Sequence, residues 1–493
     1  MTGAGTGPRQ WFLDGSAEAE KNLRHTVDAV LDAVLSNDPP SPFPALGPAE
    51  LRSATEHVDP LPDIGCEPER VLSEIGRVVL RHGVRVTDPY CAAHLHSPTL
   101  ITAAVTELAI GLTNQSMDSF DQAPVATYVE DLLVRTLAAV LGLPGTASGV
   151  LTSGGTSSNL LGLLLARERA GTGTTVSGLP GESRRWRVLT SAAAHISVRQ
   201  AASVLGLGRD AVVPVGTDHA GRMRVDDLDR VLAGLDDAGL SPIALVGTAG
   251  TTDSGAIDPL DALADRAAAR GAWFHIDAAV GSALALSERL RPMLAGLERA
   301  DSITADLHKL WWQPIGASAL LVRNAGTLHG FREPADYLNR RDGTAELDLV
   351  DRSLDTSRRF DALKILVSLR ITGRLRLAGF VEHLVDLTAE AGRLVDAHPQ
   401  LELIAPPQTV TVLFRCRAPE GSPVDGQDAL NTRVQRDLLA SGRAVVGRTR
   451  WKGRTVLKLT LVNPLATAGD IAGLLDLIAG AAGPGIQEGM PYP

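Results

Sequence analysis

The stretch Ala305-Asp-Leu-His-Lys-Leu-Trp-Trp-Gln-Pro314 stands between two strand-like runs, Ala300-Asp-Ser-Ile-Thr304 and Gly316-Ala-Ser-Ala-Leu-Leu-Val-Arg323. Its one lysine, Lys309, therefore sits in a turn between buried strands, directly after His308. An amine in apolar surroundings loses part of its preference for the charged form, and the neutral amine is a nucleophile. Its commonest covalent use is a Schiff base with a carbonyl. A surface lysine in a loop reads the same way when taken alone, so the decision falls to the sequence upstream.

From about residue 148 strands and helices alternate, which predicts an α/β fold built on a mostly parallel, seven-stranded sheet with helices on both faces. Strands are expected near 148–152, 186–190, 211–214, 242–248, 272–277, 301–305 and 317–322. Helices are expected near 157–170, 195–205, 224–235 and 258–270. In such sheets ligands bind at the carboxyl ends of the strands, and the residues able to do chemistry fall there. Thr152-Ser-Gly-Gly-Thr-Ser-Ser-Asn159 leaves a strand and opens a helix. Gly155 and Thr156 offer close backbone approach and free N–H groups at a helix N-terminus, which suits one phosphate. An ordinary Ser/Thr-capped turn has the same look. His195 follows a strand end and can stack on a planar ring or cap a helix. Gly247-Thr-Ala-Gly-Thr-Thr252 leaves room for a flat ligand beside Thr248. His275-Ile-Asp-Ala-Ala-Val280 ends a strand with a carboxylate, Asp277, that is costly to bury without a cation or donors. A pyridinium N–H would be such a donor. An Asp capping the next turn is the alternative.

Phosphate turn, stacking histidine, carboxylate and lysine occur here in one order, and pyridoxal phosphate is the carbonyl that uses all four. At this point the chain resembles the group II pyridoxal-phosphate-dependent amino-acid decarboxylases of fold type I. The matching motifs are Thr-Ser-Gly-Gly-Thr-x-x-Asn (152–159), Ala-His (194–195), Gly-Thr-Ala-Gly-Thr-Thr (247–252), His-x-Asp-Ala-Ala (275–279) and Asp-x-His-Lys (306–309), with Ala335-Asp-Tyr-Leu-Asn339 and Thr356-Ser-Arg-Arg-Phe-Asp-Ala-Leu-Lys364 beyond them. The resemblance covers roughly residues 80 to 470. It departs from the common pattern at Val280-Gly-Ser282, where an aromatic and two glycines are frequent, and at Asp88-Pro89, where His-Pro is common.

The resemblance implies that Lys309 binds the cofactor, that Gly155 and Thr156 hold its phosphate with help from His308, and that His195 and Ala279 cover the two ring faces. Thr248 should lie near the 3-hydroxyl and Asp277 at the ring nitrogen. Tyr337 should sit on a lid that enters the partner's site and protonates the substrate carbon. A homodimer is implied as well. The closest motifs are those of L-2,4-diaminobutyrate and related lysine/ornithine decarboxylases. His94, Asn114, Asp118 and Asp121, in Asp88-Pro-Tyr-Cys-Ala-Ala-His-Leu-His-Ser-Pro98 and Thr113-Asn-Gln-Ser-Met-Asp-Ser-Phe-Asp121, are the substrate-side candidates. A carboxylate there can meet an ω-ammonium in a charge-assisted hydrogen bond. The expected reaction is decarboxylation of a basic diamino acid to its amine. The alternatives are oxidative deamination to an aldehyde, decarboxylation of an acidic or aromatic amino acid, and a non-catalytic relative.

The remainder supports this site. The 493 residues carry a formal charge of −10, which disfavours nucleic acid as a partner. Cys66, Cys91 and Cys416 lack metal-type spacing and are expected to be reduced in a cytoplasmic setting. No signal peptide or membrane span is expected. Helices near 16–35, 48–55 and 67–81 form a strand-free N-terminal section, too apolar on one face to stand alone. The expected divisions are 1–95, a helical dimerisation segment; 96–371, the cofactor-binding domain; and 372–493, a small α+β domain with strands near 401–405, 409–415, 443–447 and 455–460.

Overall fold

In chain order the strands are β1 Cys91–Ala92, β2 Ser148–Thr152, β3 Trp186–Ser191, β4 Val212–Val215, β5 Ser241–Thr248, β6 Trp273–Asp277, β7 Ser302–Asp306, β8 Ser318–Val322, β9 Leu401–Leu403, β10 Thr411–Cys416, β11 Val445–Trp451 and β12 Arg454–Thr460. The structure is a computed structural model, and it describes residues 11–332, 347–419, 421 and 423–483.

The large sheet has the order β2-β8-β7-β6-β5-β3-β4. Every pairing is parallel except those of β8, which runs antiparallel to both β2 and β7. The seven strands coincide with the seven apolar runs of the sequence. Each is short and apolar because both faces of the sheet are covered. Successive side chains point to opposite faces. Val188, Ala244, Val246 and Leu320 pack under the helices Gly155–Ala170 and Ser197–Val204. Their neighbours Leu189, Leu245 and Leu321 pack on the other side with the helices Pro124–Val140, Val225–Asp237 and Leu260–Arg270.

A second sheet, β1-β11-β12-β10-β9, has its own apolar core with the helices Arg374–Ala397, Val424–Ala440 and Ala468–Ala481. The expected strands of the C-terminal section are all there. Its edge strand was not expected: β1 comes from residues 91–92 and pairs in parallel with β11. Two residues are too few to show a period of two.

The helix Ile101–Thr113 was not expected either. Ala103, Thr106 and Ile110 face inward, whereas Ile101, Val105, Leu108 and Leu112 are exposed. A helix that is apolar nearly all round has no polar stripe to reveal its period. Ahead of it, the helix Ala17–Ser36 packs on Pro68–Val78 and leaves Val30, Leu31, Val34 and Leu35 exposed.

Candidate active site

The carboxyl ends of β2, β3, β5, β6 and β7 open on one cavity of about 270 Å³, lined by Gly155, Thr156, Asn159, His195, Thr248, Asp277, Ala279, Asp306, His308 and Lys309 among others. The eight cofactor-side residues singled out in the sequence thus meet in one place, although they come from segments scattered over more than 150 positions.

The turn after β2 leads straight into the helix Gly155–Ala170, whose first backbone N–H groups have no carbonyl a turn earlier to bind. Gly155 is required there: a Cβ at this position would lie 2.9 Å from Asp306 Oδ1. Asp277 ends β6 and is buried. Its Oδ1 accepts from the Ala279 N–H at 3.1 Å and its Oδ2 from Asn159 Nδ2 at 2.9 Å. His195 stands just before the helix Ser197–Val204 and is exposed in the single chain.

Lys309 occupies the connection between the antiparallel strands β7 and β8. Its Nζ lies 2.7 Å from Asp306 Oδ2. His308 donates from Nδ1 to the Ala317 carbonyl at 2.8 Å, and its Nε2 lies 3.8 Å from Asp306 Oδ2. The turn is clamped from outside. Ser97 donates to the Lys309 carbonyl at 2.8 Å, and the Leu100 N–H donates to the Trp312 carbonyl at 2.9 Å. Trp312 holds a left-handed φ of 53°, and its indole N–H donates to the Val462 carbonyl at 3.1 Å.

The substrate-side candidates lie apart from this lining. His94 is lowered below the usual imidazole range by burial and by Lys458. His96 is lowered by burial and by its neighbours His94 and His308. Asn114 is exposed and caps the helix Ile101–Thr113 in a left-handed conformation, φ 43°. Asp118 is buried and accepts from the hydroxyls of Ser116 at 2.7 Å and Ser357 at 3.2 Å. Asp121 is exposed and accepts from Ser119 at 2.5 Å. Tyr337 lies outside the described residues.

Three further residues belong to the surroundings of the cavity. Asp306 and Asn159 stood in the quoted motifs without a role, though Asp306 and Lys309 have the spacing of a one-turn ion pair. Lys458, on β12, donates to the Thr252 carbonyl at 3.0 Å and lies 3.3 Å from Asp253, at the rim. No motif marks it, because the fold alone brings the second sheet to this edge.

The lining fits pyridoxal phosphate. Two buried oxygens on it, Thr248 Oγ1 and Asp306 Oδ1, have no hydrogen-bond partner among the described residues. Such atoms are costly to bury unless a ligand satisfies them. A helix N-terminus for a phosphate, a carboxylate for a ring N–H and an amine for a carbonyl lie around one space of suitable size.

Comparison with known proteins agrees. The family profile described as the pyridoxal-dependent decarboxylase conserved domain matches residues 51–417. The chain is similar to the L-2,4-diaminobutyrate decarboxylase of Rhizobium meliloti (strain 1021), with 42% identity over 434 residues, 88% of this chain and 86% of that one. Its fold is similar to the glutamate decarboxylase domain of the diaminobutyrate-pyruvate transaminase and L-2,4-diaminobutyrate decarboxylase from Vibrio parahaemolyticus, at TM-score 0.87 and 35% identity over 96% of this chain and 98% of that one. It is also similar to Oryza sativa TDC with PLP and tryptamine, at TM-score 0.87 and 25% identity over 96% and 99%. A chain with this cradle and this match belongs to the pyridoxal-dependent decarboxylases, enzymes that remove the carboxyl group of an amino acid.

Proposed function

We propose that this enzyme converts a basic L-amino acid, L-2,4-diaminobutyrate before ornithine or lysine, to its amine and CO2. The observation that carries the reading is that Lys309 and Asp277 line one cavity at the end of the phosphate turn. The substrate preference rests on the 42% identity to a diaminobutyrate decarboxylase. When bound, pyridoxal phosphate supplies a carbonyl for the amine to join and a ring that draws electrons from the bond to the departing carboxylate.

The chain's own residues have separate tasks. Gly155 and Thr156 would present backbone N–H groups to the phosphate. Asp277 would offer an acceptor to the ring nitrogen and favour its protonated form. His195 and Ala279 would cover the ring faces, and Thr248 would stand at the hydroxyl side. Lys309 would hold the cofactor through the cofactor's carbonyl, and Asp306, 2.7 Å from the Lys309 Nζ, positions the amine. Asp118 would meet the substrate's ω-ammonium across a homodimer interface. Its carboxylate accepts from two hydroxyls, and no cation pairs with it among the described residues. The dimer would be built on residues 1–95 and the exposed apolar faces of the helices at 101–113 and 124–140. The three free cysteines are consistent with a cytoplasmic enzyme.

An amino-acid panel assayed for CO2, amine, ammonia and aldehyde is the test. Amine and CO2 from diaminobutyrate at the highest kcat/KM are expected. Aldehyde and ammonia as main products, or preference for an acidic or aromatic amino acid, overturn the reading. Lys309→Ala is expected to lose turnover and the visible cofactor absorbance while staying folded.

A further inference from the structure

Behind Asp277 lies a buried set of polar side chains that no charge partner explains. Asn159 Nδ2 is 2.9 Å from Asp277 Oδ2 and 2.8 Å from Ser197 Oγ. Asn159 Oδ1 is 2.9 Å from His275 Nε2 and 2.7 Å from Thr304 Oγ1. His275 Nδ1 is 2.8 Å from Ser302 Oγ, which is 2.7 Å from Trp273 Nε1. Ser197 Oγ is 2.9 Å from His195 Nδ1. Asn159, Ser197, His275, Ser302 and Thr304 are all fully or almost fully buried.

The direction of every bond in this set follows from its ends. A carboxylate only accepts and an indole N–H only donates. Asn159 must therefore turn its NH2 to Asp277, which leaves its oxygen facing His275. The His275 Nε2 must then carry the proton, so Nδ1 accepts from Ser302, and Ser302 accepts from Trp273. On the other branch the second Asn159 N–H donates to Ser197, whose hydroxyl is left to donate to His195 Nδ1. The Ser197 backbone N–H also points at His195 Nδ1, at 3.3 Å, and it too can only donate. Both donors make Nδ1 an acceptor, so the neutral His195 ring carries its proton on Nε2.

From this geometry we infer that Asn159, His275 and Ser197 are positioning residues: a one-way chain of donors from Trp273 that fixes the Asp277 carboxylate on one branch and the tautomer of His195 on the other. The inference rests on the roles proposed above for Asp277 and His195. Every link is neutral. A cation in the place of His275 would compete with the ring nitrogen for Asp277, whereas an amide N–H orients the carboxylate and leaves it its charge. Burial keeps the His275 ring neutral, although Asp277 pulls the other way. Asn159 is the branch point, so the two groups that contact the cofactor are aligned by one side chain of the helix that also begins at the phosphate turn.

The test combines a tautomer readout with cofactor binding. In enzyme labelled with ¹⁵N-histidine, with resonances assigned by substitution, His275 and His195 are expected to be protonated on Nε2 and unprotonated on Nδ1. Ser197→Ala leaves only the longer backbone donor at Nδ1 and should lower the share of His195 protonated on Nε2 relative to the parent. His275→Gln keeps a donor toward Asn159, while His275→Leu does not. The Leu variant is expected to bind pyridoxal phosphate about ten- to hundredfold more weakly, with kcat reduced more than KM, and the Gln variant to recover most of both. A proton on Nδ1 of either ring, or equal cofactor affinity in the Leu and Gln variants, overturns the inference. If the Leu variant does not fold, the tautomer readout in the parent and Ser197→Ala decides alone. These spectra do not depend on turnover, so the protonation pattern tests the donor chain even if the proposed substrate or reaction is wrong.

Discussion

His275 carries a cost that shows only in acid. Its ring is held neutral in the folded chain by burial, while the unfolded chain takes up a proton below about pH 6.5. The unfolded state then binds more protons than the native one, so stability is lost as pH falls through that value, by at most about 1.4 kcal/mol per pH unit from this group. His275→Gln does not titrate, so its thermal midpoint should decline less than the parent's between pH 7 and pH 5. Equal declines would show that the ring is not held neutral. At Asp118 the expectation is kinetic: Asp118→Asn should raise KM for a diamino acid about tenfold or more and leave cofactor affinity unchanged, as measured by steady-state rates and fluorescence titration. Single residues were legible in the sequence when their type is rare at a strand end. Lys309, Asp277 and His195 stood out for that reason. Asn159 and Ser197 did not, because an uncharged polar residue near the start of a helix reads as a cap, and only the fold shows which carboxylate or ring it reaches.

At the scale of elements, the helix Gly155–Ala170 lies against β6 so closely that a Cβ on Gly162 would come 2.7 Å from the His275 ring. Alanine normally favours a helix over glycine by about 1 kcal/mol. Gly162→Ala should nevertheless destabilise, by about 1–3 kcal/mol, because the ring or the helix must move. It should also weaken cofactor binding, since the helix begins at the phosphate turn. A thermal midpoint at or above the parent's would mean that the ring moves freely. The helix Ala362–Thr372 is tied to Ile101–Thr113 by a fully buried Lys364, whose Nζ lies 2.6 Å from Glu107 and 3.0 Å from Asp361. Burial pushes the Glu107 carboxyl up, but Lys364 and Arg359 outweigh it and hold it below the usual range. Lys364→Met should cost about 3 kcal/mol or more, seen as a lower thermal midpoint. The seven strands of the large sheet were readable because each is a short, largely apolar run ended by a polar or glycine residue. The helix at 101–113 was hidden because its exposed face is as apolar as its buried one.

At the scale of the molecule, that apolar face bears on assembly. Ile101, Val105, Leu108 and Leu112 recur at helical spacing and are exposed in the single chain. A contiguous patch of this kind marks an interaction surface. If the proposed homodimer uses this face, Val105→Glu with Leu108→Glu should shift it to monomer in sedimentation and lower activity with it, and a dimer of unchanged stability would place the interface elsewhere. The second sheet shows what sequence order conceals, because its edge strand is made long before the rest. Cys91 pairs with Val445, and the Val445 N–H donates to the Tyr90 carbonyl at 2.9 Å. This pairing is a clasp between the beginning and the end of the enzyme's fold. At about 5–20 residues per second of synthesis, the first half of the clasp waits roughly 20–70 seconds for the second. Until then the stretch from Tyr90 to Leu100, which later grips the Lys309 turn, is anchored at one end only. The Lys309 turn is therefore held in its final place late in the life of the nascent chain, and in refolding followed by pulsed hydrogen exchange the Val445 amide should be among the last to gain protection.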